Sequence, residues 1–262
     1  MLRVDDAARV RLVTLDRPEA RNALDTAHYH ELADALDGAA TSADLAVVIL
    51  TGTGAAFCAG QDLAEMGRLG DPEARSDGER SAHGFTRFVA ALEAFPKPLV
   101  AAVNGLAVGL GVTMLPYCDV VLVAADARFR VPFASLGVVP EAGSSFTLPV
   151  AMGRQAAARA LLTGEWFDAP TAVATGLAWK SCPPDQLRDE ALGVARAMAR
   201  LPIVSLRETK RLMREGWLDA AHAARTREEE VFARLTGAPA NREAIAAFLE
   251  KRDPDFVHLP PE

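Results

Sequence analysis

Residues 99–111 read LVAAVNGLAVGLG, five apolar residues followed by closely spaced glycines. This pattern is typical of a strand that is buried on both faces and ends in a tight turn. A membrane-spanning helix over Leu99–Ala125 is a poor alternative, because it needs about 20 uninterrupted apolar residues and this segment contains Asp119. We therefore predict a strand over Leu99–Val103, a glycine turn, a short buried helix and a strand over Val120–Val123.

The order strand, turn, helix recurs on the N-terminal side of this stretch. Val10–Leu15 alternates between apolar and polar residues and predicts a strand. Asp25 is placed to cap a helix that runs to about Ala40. Ala46–Thr51 predicts another buried strand. Residues 68–82 are the most polar stretch, and we predict a mobile surface loop near a ligand mouth there.

The C-terminal part is predicted to be mostly helical, with Leu177–Cys182 as a possible strand. Its main helices are predicted over Gln186–Leu201, Val204–Arg214, Ala220–Leu235 and Arg242–Lys251. Repeated strand–turn–helix units followed by helices indicate an α/β layered core with a helical extension. We place the core at residues 1–195 and the helical C-terminal region at residues 196–262.

The composition excludes several classes of protein. Of the 262 residues 50% are hydrophobic, which excludes a disordered chain, and 28 basic against 35 acidic residues argue against a nucleic-acid partner. Three cysteines without a C-x-x-C pair exclude a disulfide scaffold and a zinc knuckle, and the scattered histidines predict no metal site. The N-terminus lacks the apolar segment of a signal peptide, so we expect a cytoplasmic protein with no membrane attachment.

Two glycine-containing loops are candidates for binding chemistry. Ala56–Leu63 and Ala102–Gly111 each follow a predicted buried strand, and their small residues let a ligand approach the main chain closely. In the first loop, Asp62 and Glu65 have the spacing of a capping box for the next helix. Each loop alone fits a plain strand-to-helix turn. Two together could direct two N–H groups at one oxygen that gains negative charge.

The third candidate is Glu141, which follows a proline in the sequence LGVVPEAGSSF of residues 136–146. We predict that it lies in the first turn of a helix, where a carboxylate gains about 0.3–1 kcal/mol from the helix dipole. That ordinary role stays open beside a catalytic one, because nearby apolar residues such as Val138 and Phe146 would desolvate the carboxyl. A desolvated carboxyl has a raised pKa and can carry a proton between two atoms.

In this order the motifs resemble the crotonase superfamily, also called enoyl-CoA hydratase/isomerase. The residues that carry the resemblance are Arg17–Leu24, Gly54–Asp62, Lys97–Gly105, Cys118–Asp119, Leu136–Pro140 and Ala247–Arg252. The resemblance implies a crotonase-like spiral of β-β-α units with a helical C-terminal trimerisation region. It also implies an acyl-CoA thioester substrate, no cofactor beyond the coenzyme A of the substrate, and a homotrimer or hexamer.

The same resemblance implies roles for single residues. The backbone N–H groups of Gln61 and Leu110 would form an oxyanion hole for the thioester oxygen of an enolate. The two acids of hydratases would fall at Thr113 and Phe133, neither of which is a carboxylic acid. Glu141 stands where isomerases place their single acid, so the expected reaction converts a 3-enoyl-CoA to a 2-enoyl-CoA. A hydratase-type lyase with a non-standard acid and a non-catalytic acyl-CoA-binding protein stay open as alternatives.

The resemblance further implies a set of residues that contact the CoA or acyl group. They are Arg21, Ala23, Ala59, Gly60, Asp62, Leu63, Gly109, Thr113, Phe133, Lys210, Phe248 and Lys251. Among them, Lys210 would face the phosphates, and Phe248 and Lys251 would reach the nucleotide of a neighbouring subunit. For both lysines a solvated helix face is the alternative, because charged helix positions are usually exposed.

Overall fold

The computed structural model describes residues 2–62, residue 65 and residues 75–259, with the backbone alone for residues 75–82. The strands in this part of the chain are β1 (Leu2–Ala7), β2 (Val10–Leu15), β3 (Val47–Gly52), β4 (Ala56–Cys58), β5 (Leu99–Val103), β6 (Leu106–Val108), β7 (Val120–Ala124), β8 (Arg128–Arg130), β9 (Phe167–Asp168) and β10 (Lys180–Cys182). The α-helices are α1 (Thr26–Thr41), α2 (Arg75–Ala94), α3 (Leu110–Thr113), α4 (Ser144–Met152), α5 (Arg154–Thr163), α6 (Ala169–Thr175), α7 (Leu187–Ala199), α8 (Ile203–Arg214), α9 (Leu218–Leu235) and α10 (Pro239–Glu250).

One sheet has the strand order β1-β2-β3-β5-β7-β10. β1 and β2 form an antiparallel hairpin, and every other neighbouring pair in this sheet is parallel. Parallel sheets are stable only when both faces are covered, which requires strands that are apolar on both sides. β5 meets this requirement, because all of its residues are buried. The parallel sheet with helices between its strands confirms the predicted α/β class.

A smaller sheet with the order β4-β6-β8-β9 carries the two glycine-containing loops. β4 pairs with β6 in parallel, with Ala56 opposite Leu106 and Cys58 opposite Ala107. Because parallel strands end at the same edge of a sheet, the segments that follow Cys58 and Val108 leave the sheet side by side. This pairing joins two parts of the chain that are far apart in the sequence.

Several elements confirm their predictions. β5 and β7 lie inside the larger sheet where two strands were predicted, so residues 99–125 do not form one long helix. Among the helices of the described residues, none is long and apolar enough to cross a membrane. The helix α1 begins after Asp25, whose carboxylate accepts a hydrogen bond from the His28 N–H at 3.0 Å, as expected of an N-cap.

Two predictions about local backbone structure are wrong. The predicted glycine turn after β5 contains β6, because its short backbone segment pairs with β4. Residues 75–82 of the predicted surface loop belong to α2, while residues 68–74 lie outside the described residues. Residues 75–82 have no apolar period of their own, but the later residues Phe88 and Leu92 of α2 are fully buried. The packing of α2 against α1 therefore determines this helix more than its first residues do.

The predicted capping box does not form. The Asp62 N–H donates to the Leu24 carbonyl at 2.9 Å and is therefore not available to Glu65. The Glu65 carboxylate instead accepts from the Thr26 hydroxyl at 2.6 Å. These contacts fasten the loop after β4 to the start of α1.

The last two helices cover the same end of the smaller sheet. α9 packs on α4, and α10 packs on the short 3-10 helix of residues 134–136. In the second contact, the Asn241 side chain donates to the Leu136 carbonyl at 2.8 Å. The C-terminal helices therefore form one wall of the space above β4, β6 and β8.

Candidate active site

The two loops that leave β4 and β6 approach each other through glycine. Gly60 has φ +83°, and a Cβ atom built on it would lie 2.8 Å from the Val108 carbonyl oxygen. A side chain at this position would therefore push the two loops apart. The contact brings Gly60 and Gly109 together, and Gln61 and Leu110 are the residues that follow them in the two loops.

The backbone N–H groups of Gln61 and Leu110 have no hydrogen-bond acceptor among the described residues. The N–H groups of the adjacent residues do have acceptors: the Gly109 N–H donates to the Arg130 carbonyl at 3.0 Å, and the Asp62 N–H donates to the Leu24 carbonyl. An N–H group that lacks a protein acceptor must be satisfied by water or a ligand. Both residues line one cavity, so a single ligand oxygen could accept from both groups.

This cavity has a volume of about 280 Å³. It lies between the two loops, the segment after β8 and the C-terminal helices. The residues that line it are Ala59, Gly60, Gln61, Val108, Gly109, Leu110, Arg130, Pro132, Phe133, Ser135, Leu136, Val138, Glu141, Phe232, Ala244, Phe248, Arg252 and Pro254. Most of these side chains are apolar, as is usual in sites for small organic ligands. Glu141 is the one carboxylic acid among these described residues.

Glu141 lies in a loop before α4 and not in the first helical turn that the sequence predicts. The reason is local: the next two residues, Ala142 and Gly143, adopt left-handed backbone conformations with φ 57° and 72°. Burial raises the pKa of Glu141 to about 8, and the negative charge of Glu228 adds to this effect. The carboxyl is therefore largely protonated at neutral pH and can ionise in mildly alkaline solution.

The two positions at which hydratases were expected to carry acids are occupied by non-acidic residues inside the protein. Phe133 lines the cavity and is buried. Thr113 is fully buried in α3, and its hydroxyl has no hydrogen-bond partner among the described residues. Neither side chain is a carboxylic acid, so Glu141 is the one carboxyl that the described cavity wall offers for proton transfer.

Other predicted contact residues lie outside the cavity wall. Arg21 and Ala23 belong to the loop before α1, where the Arg21 carbonyl accepts from the Ala59 N–H at 3.1 Å. Asp62 forms an ion pair with Arg17 and does not line the cavity. Leu63 lies outside the described residues.

Lys210 does not line this cavity, and its burial contradicts the solvated helix face that was the alternative interpretation; contact with the phosphates stays a prediction. Its side chain is buried in α8, where Nζ donates to the Lys97 carbonyl at 2.8 Å and to the Asp119 carboxylate at 2.7 Å. Phe248 lines the cavity and is 57% exposed, while Lys251 is exposed at the end of α10 and is not part of the wall. Lys210 therefore joins α8 to the starts of two strands.

Three charged residues near the cavity were missed. Arg130 and Arg252 line it, and Arg252 is the last residue of the Ala247–Arg252 motif, in which it was not singled out as a site residue. Glu228 is buried in α9, although it belongs to a run of three glutamates. Its spacing from Ala221 and Ala224, seven and four residues earlier on one helix face, is a sequence signal of burial that could have separated it from Glu229 and Glu230.

The chain is similar to known proteins along nearly its whole length. The sequence profile of Enoyl-CoA hydratase/isomerase matches residues 5–258. The 2,3-dehydroadipyl-CoA hydratase of Escherichia coli is 38% identical over 248 residues, which are 95% of each chain. The 1,2-epoxyphenylacetyl-CoA isomerase of the same organism is 32% identical over 249 residues, again 95% of each chain. The crystal structure of an enoyl-CoA hydratase/isomerase from Pseudoalteromonas atlantica has a TM-score of 0.89 and 37% identity, covering 98% of this chain and 99% of that one.

The family match and the fold thus define an enzyme of the class that acts on acyl-CoA thioesters. The chain belongs to the enoyl-CoA hydratase/isomerase family, and its fold is the crotonase fold expected from the sequence motifs.

Proposed function

We propose that the protein is an enoyl-CoA isomerase that converts a 3-enoyl-CoA to the 2-enoyl-CoA. The observation that carries this proposal is that Glu141 is the one carboxylic acid on the described cavity wall, which it shares with Gln61 and Leu110. One carboxylate is sufficient for a 1,3-proton shift, whereas hydration in this family is expected to need two acids around a water molecule.

The reaction begins when ionised Glu141 removes a proton from C2 of the acyl group. The C–H electron pair delocalises into the thioester carbonyl, and the resulting oxyanion accepts hydrogen bonds from the Gln61 and Leu110 N–H groups. The electrons then return toward the chain, the double bond moves to C2=C3, and Glu141 gives the proton to C4. Loss of one such N–H donor costs about 3–4 kcal/mol of transition-state stabilisation elsewhere, so these amides are the largest contribution that we assign.

The direct test compares the wild type with Glu141→Gln on a 3-enoyl-CoA substrate. Formation of the conjugated 2-enoyl thioester is followed by its ultraviolet absorbance, and CoA binding is measured by calorimetry. We expect Glu141→Gln to lose at least about a thousandfold in kcat while it still binds CoA, because an amide cannot transfer the proton. Glu230→Gln, which removes an exposed carboxyl from α9, is the matched control and keeps full activity. Full activity of Glu141→Gln contradicts the proposal.

The alternative reaction is hydration, with Glu141 activating a water molecule. The 38% identity to a hydratase favours testing it. Incubation of the protein with crotonyl-CoA would then produce 3-hydroxybutyryl-CoA, and its absence together with isomerisation of a 3-enoyl-CoA supports the isomerase. Tight binding of CoA thioesters without turnover of any of them would indicate the non-catalytic alternative.

We also propose that the chain assembles as a homotrimer or a hexamer through the helical region of residues 196–262. Apolar side chains on α8 that have no cover within one chain support this proposal: Val204, Leu212 and Met213 are 72%, 62% and 68% exposed. Such exposed apolar surface on a helix usually marks an interface. Light scattering after size-exclusion chromatography measures the mass directly, and a monomer at micromolar concentration contradicts the proposal.

A further inference from the structure

The segment that carries Glu141 has a backbone conformation that needs support. Ala142 is left-handed with φ 57°, a conformation that L-residues other than glycine adopt at a cost. Gly143 is also left-handed, and a Cβ atom there would lie 2.9 Å from the Tyr117 hydroxyl and from the Ala221 carbonyl. A strained conformation of this kind persists only when surrounding contacts determine it, and it is often found at functional sites.

The buried carboxylate of Glu228 supplies two of these contacts. It accepts a hydrogen bond from the Gly143 N–H at 2.6 Å and another from the Ser145 N–H at 2.7 Å. A third contact comes from Tyr117, whose hydroxyl donates to the Ala142 carbonyl at 2.7 Å. Glu228 comes from α9 and the loop from the start of α4, so the C-terminal region fixes the backbone of the proposed proton shuttle. Charge-assisted hydrogen bonds of this kind are among the strongest in proteins.

The charge of Glu228 also acts on Glu141. Among the other groups near Glu141, Tyr29 on α1 and Cys58 on β4 are both neutral at physiological pH, since burial raises the pKa of Cys58 to about 12 and that of Tyr29 well above its usual value. The cations that line the same cavity are Arg130 and Arg252. The Tyr117 hydroxyl lies close enough to be affected by the charge of Glu228, and burial raises the pKa of Tyr117. The charges of Glu93 on α2, Arg225 on α9 and Arg214 on α8 also act on Tyr117. Glu228 is therefore the negative charge that opposes ionisation of Glu141.

We propose that Glu228 is the positioning residue of the Glu141 proton shuttle, because its carboxylate fixes the loop that carries Glu141. Burial is the larger cause that opposes ionisation of Glu141, and the negative charge of Glu228 adds to it. This inference rests on the proposed function. It assigns to α9 an effect on catalysis that does not involve contact with the substrate, because the Glu228 carboxylate is turned toward the backbone of the loop.

The experiment separates the charge of Glu228 from its hydrogen bonds. Glu228→Gln removes the charge and leaves one N–H without an acceptor, while Glu228→Asp keeps the charge on a shorter side chain. The pH dependence of kcat/KM is measured for both variants with a 3-enoyl-CoA. The ionisation midpoint of Glu141 is measured in parallel by 13C NMR of labelled glutamate carboxyls, with Glu141→Gln identifying its signal. Glu230→Gln, an exposed neutral substitution on the same helix, is the control.

We expect the rate of the wild type to rise with pH, with a midpoint near the pKa of about 8, because the ionised form removes the first proton. In Glu228→Gln both midpoints fall by about half a unit or more, since a like charge is removed. Its kcat at high pH falls roughly ten- to hundredfold, since the loop is less well fixed. Glu228→Asp lowers kcat but keeps the wild-type midpoint, and Glu230→Gln changes neither.

Midpoints in Glu228→Gln that equal those of the wild type overturn the inference. If Glu228→Gln does not fold, Glu228→Asp decides: wild-type kcat in this variant overturns the inference, and reduced kcat with an unchanged midpoint supports it. The NMR titration keeps the two proposals distinguishable. If no acyl-CoA is isomerised but the Glu141 signal still shifts, the proposed function is wrong and the link between Glu228 and Glu141 stands.

Discussion

Arg17 and Asp62 form an ion pair of 2.8 Å between the loop that precedes α1 and the loop that contains Gln61. The pair is partly buried, and the same Arg17 nitrogen also donates to the Ala23 carbonyl at 3.3 Å. Since Asp62 directly follows Gln61, the ion pair restrains the direction of the Gln61 N–H. Arg17, which lies outside the cavity wall, therefore contacts the residue next to one of the two proposed oxyanion donors.

We expect Arg17→Met to lower kcat/KM on a 3-enoyl-CoA by about tenfold, because a loosened donor stabilises the oxyanion less well. The free energy of unfolding falls by about 1–3 kcal/mol, the usual range for a hydrogen bond to a charged group. Steady-state kinetics and urea unfolding measure the two effects. Arg159→Met, which breaks an exposed ion pair with Glu165, is the control and changes neither quantity measurably. Unchanged kcat/KM in folded Arg17→Met would falsify this prediction.

The raised pKa of Glu141 makes the stability of the protein depend on pH in a definite direction. Its folded value of about 8 lies above the ordinary 4.5, so the folded protein holds a proton that the unfolded chain releases between these values. The Glu141 carboxyl therefore does not lower the free energy of unfolding below about pH 4.5, and it lowers that free energy increasingly as the pH rises toward 8. Above that pH the cost is constant.

Glu141→Gln removes this cost. We take the difference in stability between the variant and the wild type at pH 4 as the reference, and we expect the variant to gain up to about 5 kcal/mol relative to the wild type by pH 9. Urea unfolding at a series of pH values measures the difference, in which the contributions of all other groups cancel. For the exposed Glu230→Gln, the difference in free energy of unfolding from the wild type should not change with pH. A flat difference for Glu141→Gln would show that the Glu141 carboxyl is solvated and not desolvated.

Local patterns in the sequence were sufficient to predict much of the fold. The strands β5 and β7 and the helix α1 could be predicted because a buried apolar run and an N-cap such as Asp25 act within a few residues. The strand β6 could not, since three residues among glycines become a strand only through pairing with β4. The start of α2 depends in the same way on burial of its later residues against α1.

In the candidate site, too, local motifs predicted some residues, while contacts between distant residues could not be predicted. The sequence motifs identified Gln61, Leu110 and Glu141, which lie together on the cavity wall. They could not place Glu141 before the helix, because Ala142 is left-handed and alanine gives no sign of that conformation. They also gave no sign that Glu228 meets Gly143, since that contact joins residues 85 positions apart.

The substitution Gly111→Ala tests how closely α3 lies against β4. A Cβ atom built on Gly111 would lie 2.3 Å from the Cys58 carbonyl oxygen and 3.1 Å from the Cys58 Cβ, so the added methyl group of Gly111→Ala must move backbone. We expect a loss of about 1–3 kcal/mol in the free energy of unfolding, and a lower kcat because the loops of Gln61 and Leu110 move apart. Thermal unfolding and kinetics measure these effects.

Gly216→Ala is the matched control for this substitution. Nothing lies within 4 Å of a Cβ atom built on Gly216, and its φ is not in the left-handed region. Its effect on stability should stay within about 0.5 kcal/mol. Equal stabilities of the two variants would mean that α3 and β4 do not touch as closely as the structure has them.

The substitution Lys210→Met tests whether Lys210 has a structural role or binds a phosphate. Its Nζ neutralises Asp119, whose carboxylate also accepts from the Leu99 N–H at 2.7 Å at the start of β5. Lys210→Met leaves this partly buried carboxylate without its cation and removes a buried ammonium group, so we expect the free energy of unfolding to fall by about 3 kcal/mol. The KM for acyl-CoA should not change in the fraction that remains folded, because the ammonium group does not reach the cavity.

Lys180→Met is the control for this loss of stability. It breaks a solvent-exposed ion pair with Glu190 and should lower the free energy of unfolding by less than about 1 kcal/mol. If Lys210 instead bound a phosphate of coenzyme A, Lys210→Met would raise KM while leaving the unfolding midpoint close to that of Lys180→Met. The two roles thus predict opposite changes in the same pair of measurements. A loss of stability without a change in KM would show that Lys210 has a structural role. In that role it connects α8 to the start of β5, the strand that precedes the segment containing Leu110.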